Sequence, residues 1–160
     1  MKDQRITIYA DAVCDLFHFG HVEFFRRARA LGDRLIVGIL SDADAASYKP
    51  APILTHAERV QVVRGCRHVD LVLDFSPPLV PTCDFLDDIG ADFCCHGDDM
   101  DPATLSRFYA DLMAADRLKT VSYTSEISTR QIIARVVQRA GEGTLRSSLD
   151  AAETRPISKG

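Results

Sequence analysis

Residues 9–21 read Tyr-Ala-Asp-Ala-Val-Cys-Asp-Leu-Phe-His-Phe-Gly-His, and they overlap the end of an apolar run at Ile6–Ala10. This run predicts a first strand, after which His18, Gly20 and His21 mark the turn where the chain enters a helix. Helix N-terminal amides favour anions, and glycine lets a backbone approach an anion closely. The stretch therefore predicts a strand, a turn and a helix, with phosphate bound at the turn.

Apolar runs typical of buried parallel strands alternate with helical patterns along the chain. Arg34–Leu40 is the strongest predicted strand, and Thr55 and Glu58 have the form of a capping box at a helix start. This order predicts an α/β, Rossmann-like fold, a doubly wound parallel sheet of about five strands with helices on both faces. Ligands then bind at the carboxyl ends of the strands. The predicted strands are 5–10, 34–40, 69–74, 92–95 and 120–123; the predicted helices are 20–31, 55–66, 83–89, 102–115 and 128–139; residues 41–52 are a predicted loop.

The composition is that of one globular domain. A chain of 160 residues that is 46% hydrophobic can bury a core, and its five cysteines have no zinc spacing. The net charge of -4 argues against broad nucleic-acid binding, and no segment suits a signal peptide or a membrane span. We expect a cytoplasmic protein with one globular domain at 1–139. Residues 140–160 read as a linker or disordered tail, which suggests a domain from a longer polypeptide.

The two histidines of the turn have three interpretations from the residues alone. A metal site needs a third ligand, for which Asp15 is a candidate. A core or helix-capping role is ordinary for histidine. A phosphate-binding role is favoured by Gly20 between them and by the helix that follows.

Six segments, in order, resemble the nucleotidylyltransferases with a His-x-Gly-His turn. The resemblance runs from Ile6 to about Val137 and is greatest to the cytidylyltransferases that activate phosphoethanolamine, phosphocholine and glycerol 3-phosphate. It implies transfer of CMP from CTP, Mg²⁺ accompanying the CTP, and a homodimer. The matching segments are 9–21, 30–42, 48–59, 66–70, 93–99 and 127–129, of which 93–99 is most similar to the ethanolamine-phosphate branch.

The resemblance also implies roles for individual residues. His18 and His21 hold the triphosphate and stabilise the pentavalent phosphorus, and Lys49 reaches across as a flexible cation. Such catalysis is positioning and electrostatic stabilisation, without a covalent intermediate. The implied catalytic residues are His18, His21 and Lys49; the implied CTP-binding residues are Ala10, Asp11, Ala12, Asp15, Gly20, Arg59, Arg67, His96, Gly97, Asp98, Asp99, Tyr123, Ile127, Ser128 and Thr129; no metal ligand is assigned.

Several of these residues also have structural interpretations. Arg59 and Arg67 either contact phosphate or are solvated helix charges and structural ion pairs, with Asp70 as one candidate partner. Asp98 and Asp99 either border the cytosine pocket or are ordinary turn residues.

The sequence departs from the family signature Arg-Thr-x-Gly-Ile-Ser-Thr, because it reads Tyr-Thr-Ser-Glu-Ile-Ser-Thr from Tyr123. A phosphate-binding cation is missing there, and Glu126 adds negative charge. Either another cation, such as Arg130, compensates, or the site has a changed substrate or a weaker affinity for CTP. Ala51 also stands where some relatives carry a second lysine.

The altered signature and the linker-like end also resemble the cytidylyltransferase domain fused to a phosphoenolpyruvate mutase in fosfomycin biosynthesis. This resemblance implies a small alkyl phosphonate such as 2-hydroxyethylphosphonate as the acceptor, and a fused C-terminal domain. We expect that acceptor, with phosphoethanolamine, or another phosphomonoester such as choline or glycerol phosphate, as the alternative. A second alternative is a nucleotide-binding regulatory module with little turnover. Adenylyltransferases share the histidine turn, and residues 9–15 and 67–70 favour CTP over ATP.

Overall fold

The computed structural model of the chain describes residues 5–145, in which five strands alternate with six helices. None of these helices is long and apolar enough to cross a bilayer. In chain order the elements are β1 (Thr7–Ala12), α1 (Phe19–Arg29), β2 (Arg34–Ile39), α2 (Asp42–Ala46), α3 (His56–Arg64), β3 (Leu71–Val72), α4 (Cys83–Asp88), β4 (Phe93–Gly97), α5 (Pro102–Ala114), β5 (Leu118–Val121) and α6 (Thr129–Gly141).

The strands form one sheet in the order β3-β2-β1-β4-β5, and every adjacent pair is parallel. The chain builds outward from β1 through β2 and β3, then crosses to the other side of β1 to add β4 and β5. The order therefore reverses beside β1, and a ligand crevice is expected where the carboxyl ends of β1 and β4 diverge. The predicted fold class is confirmed.

Each face of the sheet carries its own apolar core. Alternate residues of a strand point to opposite faces. Ile8 of β1 packs in a cluster with Phe25 of α1, and the neighbouring Tyr9 packs in another with Leu86 of α4 and Leu112 of α5. All five side chains are fully buried. Two covered faces explain why the strands read as nearly continuous apolar runs.

Aspartate carboxylates accept hydrogen bonds from backbone amides at the starts of β1 and β2. Asp92 accepts a hydrogen bond from the amide of Thr7 at 2.7 Å, and Asp70 accepts one from the amide of Leu35 at 2.8 Å. Asp70 also forms an ion pair with Arg29 at 2.7 Å. Asp70 is thus paired with α1 rather than with Arg67.

Some helices and strands begin or end at residues other than those predicted from the sequence, because of local hydrogen bonding or a position at the edge of the sheet. A short helix, α2, interrupts the predicted loop 41–52, because the Ser41 hydroxyl caps it by accepting from the amide of Asp44 at 3.0 Å. The predicted strand 69–74 shortens to the two residues of β3, which has β2 as its sheet partner on one side only. The last strand begins at Leu118 instead of residue 120.

The predicted boundary at residue 139 falls within the last helix. Helix α6 continues to Gly141, so the first two residues of the predicted tail 140–160 are helical. Residues 146–160 of that tail lie outside the described residues.

Arg59 is fully buried, although it was predicted to bind CTP. Its guanidinium donates to the carbonyl oxygens of Val13 at 2.6 Å, Leu40 at 3.0 Å and Leu54 at 3.2 Å. It also pairs with Asp42 at 2.6 Å. These partners follow β1, follow β2 and precede α3, so Arg59 ties three loops together. A nucleotide cannot reach it, and the predicted direct contact is corrected to a structural role.

We expect Arg59→Met to reduce the free energy of unfolding by about 3–5 kcal/mol, because it leaves three carbonyls and a carboxylate without their buried partner. Urea denaturation followed by circular dichroism measures this change. Arg64→Met, at an exposed position of the same helix, should change stability by less than about 0.5 kcal/mol. Equal losses in the two variants would contradict the clamp role of Arg59.

Candidate active site

A cleft of about 740 Å³ opens at the carboxyl ends of β1 and β4, where the strand order reverses. Its walls come from the loop after β1, the first turn of α1, the loop before α3, the end of β4 and the start of α6. Most residues assigned to the site from sequence meet here. They are Asp11, Ala12, Asp15, His18, Gly20, His21, Lys49, His96, Gly97, Asp99, Tyr123, Ile127, Ser128 and Thr129.

Four assigned residues lie outside this lining. Ala10 is fully buried inside β1, and Arg59 is the structural clamp described above. Arg67 is exposed on the turn before β3. Asp98 is also exposed, and its carboxylate accepts a hydrogen bond from the amide of Tyr123 at 2.8 Å. Asp98 therefore holds a wall residue in place, which is the turn role that its sequence also allowed.

His18 and His21 close a reciprocal capping box at the start of α1. The amide of Gly20 donates to Nδ1 of His18 at 3.1 Å, and the amide of His18 donates to Nδ1 of His21 at 3.2 Å. Since both Nδ1 atoms accept, this hydrogen bonding assigns the proton of each neutral ring to Nε2. The ring centroids are 3.9 Å apart. The pair thus offers two adjacent Nε2–H donors, which suit phosphate oxygens better than a metal ion.

Burial keeps both rings neutral. It lowers the pKa of His18, and it lowers the pKa of His21 to about 3, with the nearby His18 and Lys49 as further causes. At pH 7 the histidines therefore contribute hydrogen-bond donors and no net charge. The positive charge of the cleft must come from other side chains.

Gly20 and Phe17 fix the positions of the two rings. A Cβ atom on Gly20 would lie 2.9 Å from Cε1 of His18 and 3.3 Å from Cγ2 of Ile127, so any larger residue displaces the ring. Phe17 stacks on the ring of His21 with centroids 5.4 Å apart. The glycine is required for space between α1 and the loop before α6.

Asp15 connects three parts of the cleft wall. Its carboxylate accepts hydrogen bonds from the amides of Ile53 and Leu54, each at 2.9 Å. Its carbonyl accepts a hydrogen bond from the hydroxyl of Thr129 at 2.8 Å. Asp15 lines the cleft, as expected from sequence, but its carboxylate is already engaged in positioning the loop before α3.

Lys49 lies in that loop and reaches the cleft. Its Nζ is 5.3 Å from the ring centroid of Tyr48, and the ring of Tyr48 lies 5.5 Å from that of Phe108 on α5. Lys49 forms no ion pair with another described residue. It is an exposed cation on an anchored loop, free to meet an anion.

A buried polar group forms part of the cleft floor. The hydroxyl of Tyr109 donates to Asp11 at 2.8 Å, and the ring of His96 lies 5.4 Å from that of Tyr109. Burial raises the pKa of Asp11, and the nearby His96 opposes this rise. Tyr109 was missed by sequence reasoning, because a tyrosine in an amphipathic helix has the pattern of a core residue. No signal in the sequence separates the two roles.

The loop before α6 is held by another residue that sequence reasoning missed. Arg27 of α1 donates to the carbonyl of Ser122 and, at 3.2 Å, to the hydroxyl of Thr124. Arg27 lies among other basic residues of α1, so the sequence does not distinguish it from an ordinary solvated arginine. The cleft lining also includes residues that were not assigned to it: Val13, Cys14, Phe24, Pro50, Ala51, Pro52, Ser122, Thr124, Arg130 and Ile133.

We expect the free energy of unfolding to fall as the pH decreases below about 6.5, where unfolded histidine gains a proton. Folded His21 resists protonation down to a pKa of about 3, so acid favours the unfolded chain. Urea denaturation at several pH values between 7.5 and 4.5 measures the slope. His21→Gln keeps a hydrogen-bond acceptor and should reduce the change of the free energy of unfolding with pH. His68→Gln, outside the cleft, should reduce this pH dependence less. Identical slopes for the wild type and His21→Gln would count against this account.

The chain is similar to curated cytidylyltransferases that are named for ethanolamine phosphate and choline phosphate. It is 36% identical to ethanolamine-phosphate cytidylyltransferase of Mus musculus, over 84% of this chain and 34% of that protein. It is 33% identical to ethanolamine-phosphate cytidylyltransferase of Dictyostelium discoideum, over 82% of this chain and 37% of that protein. Choline-phosphate cytidylyltransferase 2 of Arabidopsis thaliana is 32% identical over 91% of this chain and 49% of that protein. The chain thus spans about a third to a half of these relatives.

The chain is also similar to a solved structure and matches a family model. The lipopolysaccharide core biosynthesis protein from Thermoplasma volcanium GSS1 has a TM-score of 0.59 and 22% identity, covering 75% of this chain and 97% of that one, which is a likeness of fold. The family model described as cytidylyltransferase-like matches residues 9–135, from the first strand through the first half of α6. By this match and these relatives, the chain belongs to the cytidylyltransferase-like family.

Proposed function

We propose that the chain transfers CMP from CTP to the phosphate of phosphoethanolamine and releases pyrophosphate. The observation that carries this proposal is the pair of histidines at the start of α1, whose Nδ1 atoms accept from backbone amides and which line the cleft together with Lys49 and the start of α6. Membership of the cytidylyltransferase-like family supports the reaction class.

The reaction joins two anions, so the site must lower their repulsion. A phosphate oxygen of the acceptor attacks the α-phosphorus of CTP, and a P–O bond forms while the bond to the α-β bridging oxygen breaks. Pyrophosphate leaves with the electron pair of that bond. His18 and His21 donate hydrogen bonds to the phosphate oxygens, and Lys49 offsets the charge that develops on the leaving group. The site needs no covalent intermediate.

We expect Mg²⁺ to enter with CTP. Across residues 5–145 no group of three or more His, Cys, Asp or Glu side chains could hold a metal ion. The triphosphate oxygens and water would therefore supply most of its ligands, and the ion would reduce the negative charge that the cleft receives.

The floor of the cleft supports an acceptor with a positive charge. The buried carboxylate of Asp11 is bonded to the hydroxyl of Tyr109 and has no ion-pair partner among the described residues. The ammonium group of phosphoethanolamine would neutralise it, whereas 2-hydroxyethylphosphonate offers only a hydroxyl. The relatives described above are named for ethanolamine phosphate and choline phosphate. The alkyl phosphonate expected from the sequence receives no support.

An apolar stripe on α6 supports the homodimer implied by the family resemblance. This helix has no buried residue, and Val136 and Val137 are 46% and 65% exposed. Contact with a second copy would remove these side chains from water.

We expect pyrophosphate release from CTP, Mg²⁺ and phosphoethanolamine, and a loss of about 100-fold or more in kcat in His18→Ala, because one donor to the transition state is removed. His68→Ala, outside the cleft, is the matched control. A coupled colorimetric assay measures release, with 2-hydroxyethylphosphonate, phosphocholine and ATP in parallel reactions. Turnover with the phosphonate alone would refute the proposed acceptor. CTP binding without release for any acceptor would indicate a regulatory nucleotide-binding module.

We expect Asp11→Asn to lower kcat/KM for phosphoethanolamine about tenfold or more while the KM for CTP changes little, because the amide keeps the bond to Tyr109 and loses the charge that attracts ammonium. Steady-state kinetics with each substrate varied in turn measures both constants. Asp88→Asn, at an exposed carboxylate on α4 outside the lining, is the control. A rise in the KM for CTP alone would assign Asp11 to the nucleotide instead.

A further inference from the structure

We infer that the guanidinium of Arg130 binds the β- and γ-phosphates of the nucleotide. The inference rests on the proposed function, since it assigns a residue to the triphosphate of the same cleft. Arg130 is the second residue of α6, and its side chain is part of the cleft lining.

The charge balance of the cleft favours a second cation at the triphosphate. Among the lining residues, Asp11, Asp15 and Asp99 are acidic, and burial lowers the pKa of His18 and of His21, which disfavours the charged form of both rings. Lys49 and Arg130 are the lysine and the arginine of the lining. A triphosphate brings several negative charges, so one lysine alone is a poor match, and Arg130 is the second cation that the lining provides.

The position of Arg130 is unfavourable for the helix itself. The N-terminus of a helix carries partial positive charge, so a cation in the first turn is repelled and an acidic residue is preferred there. The first turn of α6 has no acidic residue. The guanidinium of Arg130 forms no hydrogen bond or ion pair with another residue in the described part of the chain. A bound anion would turn this repulsion into a three-way attraction among helix, guanidinium and phosphate.

The start of α6 is held next to the histidine turn. The hydroxyl of Thr129 donates to the carbonyl of Asp15 at 2.8 Å, and a Cβ on Gly20 would lie 3.3 Å from Ile127. Arg130 follows directly on these contacts. A triphosphate whose α-phosphorus lies at the histidines therefore extends its outer phosphates toward the first turn of α6.

Other arginines near the cleft are already committed. Arg59 is fully buried and bonded to three carbonyls and Asp42. Arg27 donates to Ser122 and Thr124, which holds the loop before α6. Arg130 is the arginine of the described chain that both lines the cleft and has its guanidinium available.

The test measures equilibrium binding of CTP and CMP, with Mg²⁺, to the full chain by titration calorimetry. We expect Arg130→Ala to weaken CTP binding about tenfold or more, and CMP binding less than about twofold, because only CTP carries the outer phosphates. Arg130→Lys should recover part of the loss. Arg135→Ala, an exposed arginine on the same helix outside the lining, should bind both nucleotides as the wild type does. The thermal midpoint of free Arg130→Ala should be unchanged or higher.

Two results would overturn the inference. One is a CTP affinity of Arg130→Ala within twofold of the wild type, and the other is an equal loss for CTP and CMP. If the wild type binds CTP and releases pyrophosphate while Arg130→Ala does the same unimpaired, the inference alone fails. If the wild type binds no CTP, the proposed function fails with it.

Discussion

The cleft depends on the hydrogen bonds that the amides of Ile53 and Leu54 donate to the carboxylate of Asp15. They bring the loop that carries Lys49 to the turn after β1, although about 38 residues separate the two in sequence. The carbonyl of the same residue receives the hydroxyl of Thr129. Asp15 thereby joins the loop before α3 and the start of α6 to the turn after β1. The parallel sheet provides the crevice, and the hydrogen bonds of Asp15 hold the loops that form its walls.

The sequence predicted those features that depend on local patterns. Alternating apolar runs and helical spacing gave the α/β sheet, and the turn with His18 and His21 was found because its residues are adjacent in the chain. The roles of Arg59 and Tyr109 depend on burial, which arises only when distant segments pack together. An arginine near a phosphate-binding motif and a tyrosine on an amphipathic helix look the same in sequence whether they bind a ligand or support the fold.

The edge of the sheet shows a second limit of sequence patterns. The apolar run around β3 predicted a strand of ordinary length, but an edge strand has a neighbour on one side only, and just two residues pair with β2. Helix α2 was hidden for a related reason, since small and polar residues that suggest a loop also suit a single capped turn. The length of β3 was therefore set by strand pairing, and the presence of α2 by helix capping, rather than by the local amino-acid composition.

The capping box of His18 and His21 has a consequence for the proposed reaction. Backbone amides occupy both Nδ1 atoms, so the tautomer that exposes the Nε2 protons is selected during folding, before any nucleotide arrives. In the proposed reaction, these donors would need no rotation or proton rearrangement when charge builds on the phosphate oxygens, and the solvent reorganisation that opposes this change in water would be avoided. The stability of α1 and the preorganisation of the site therefore depend on the same two hydrogen bonds.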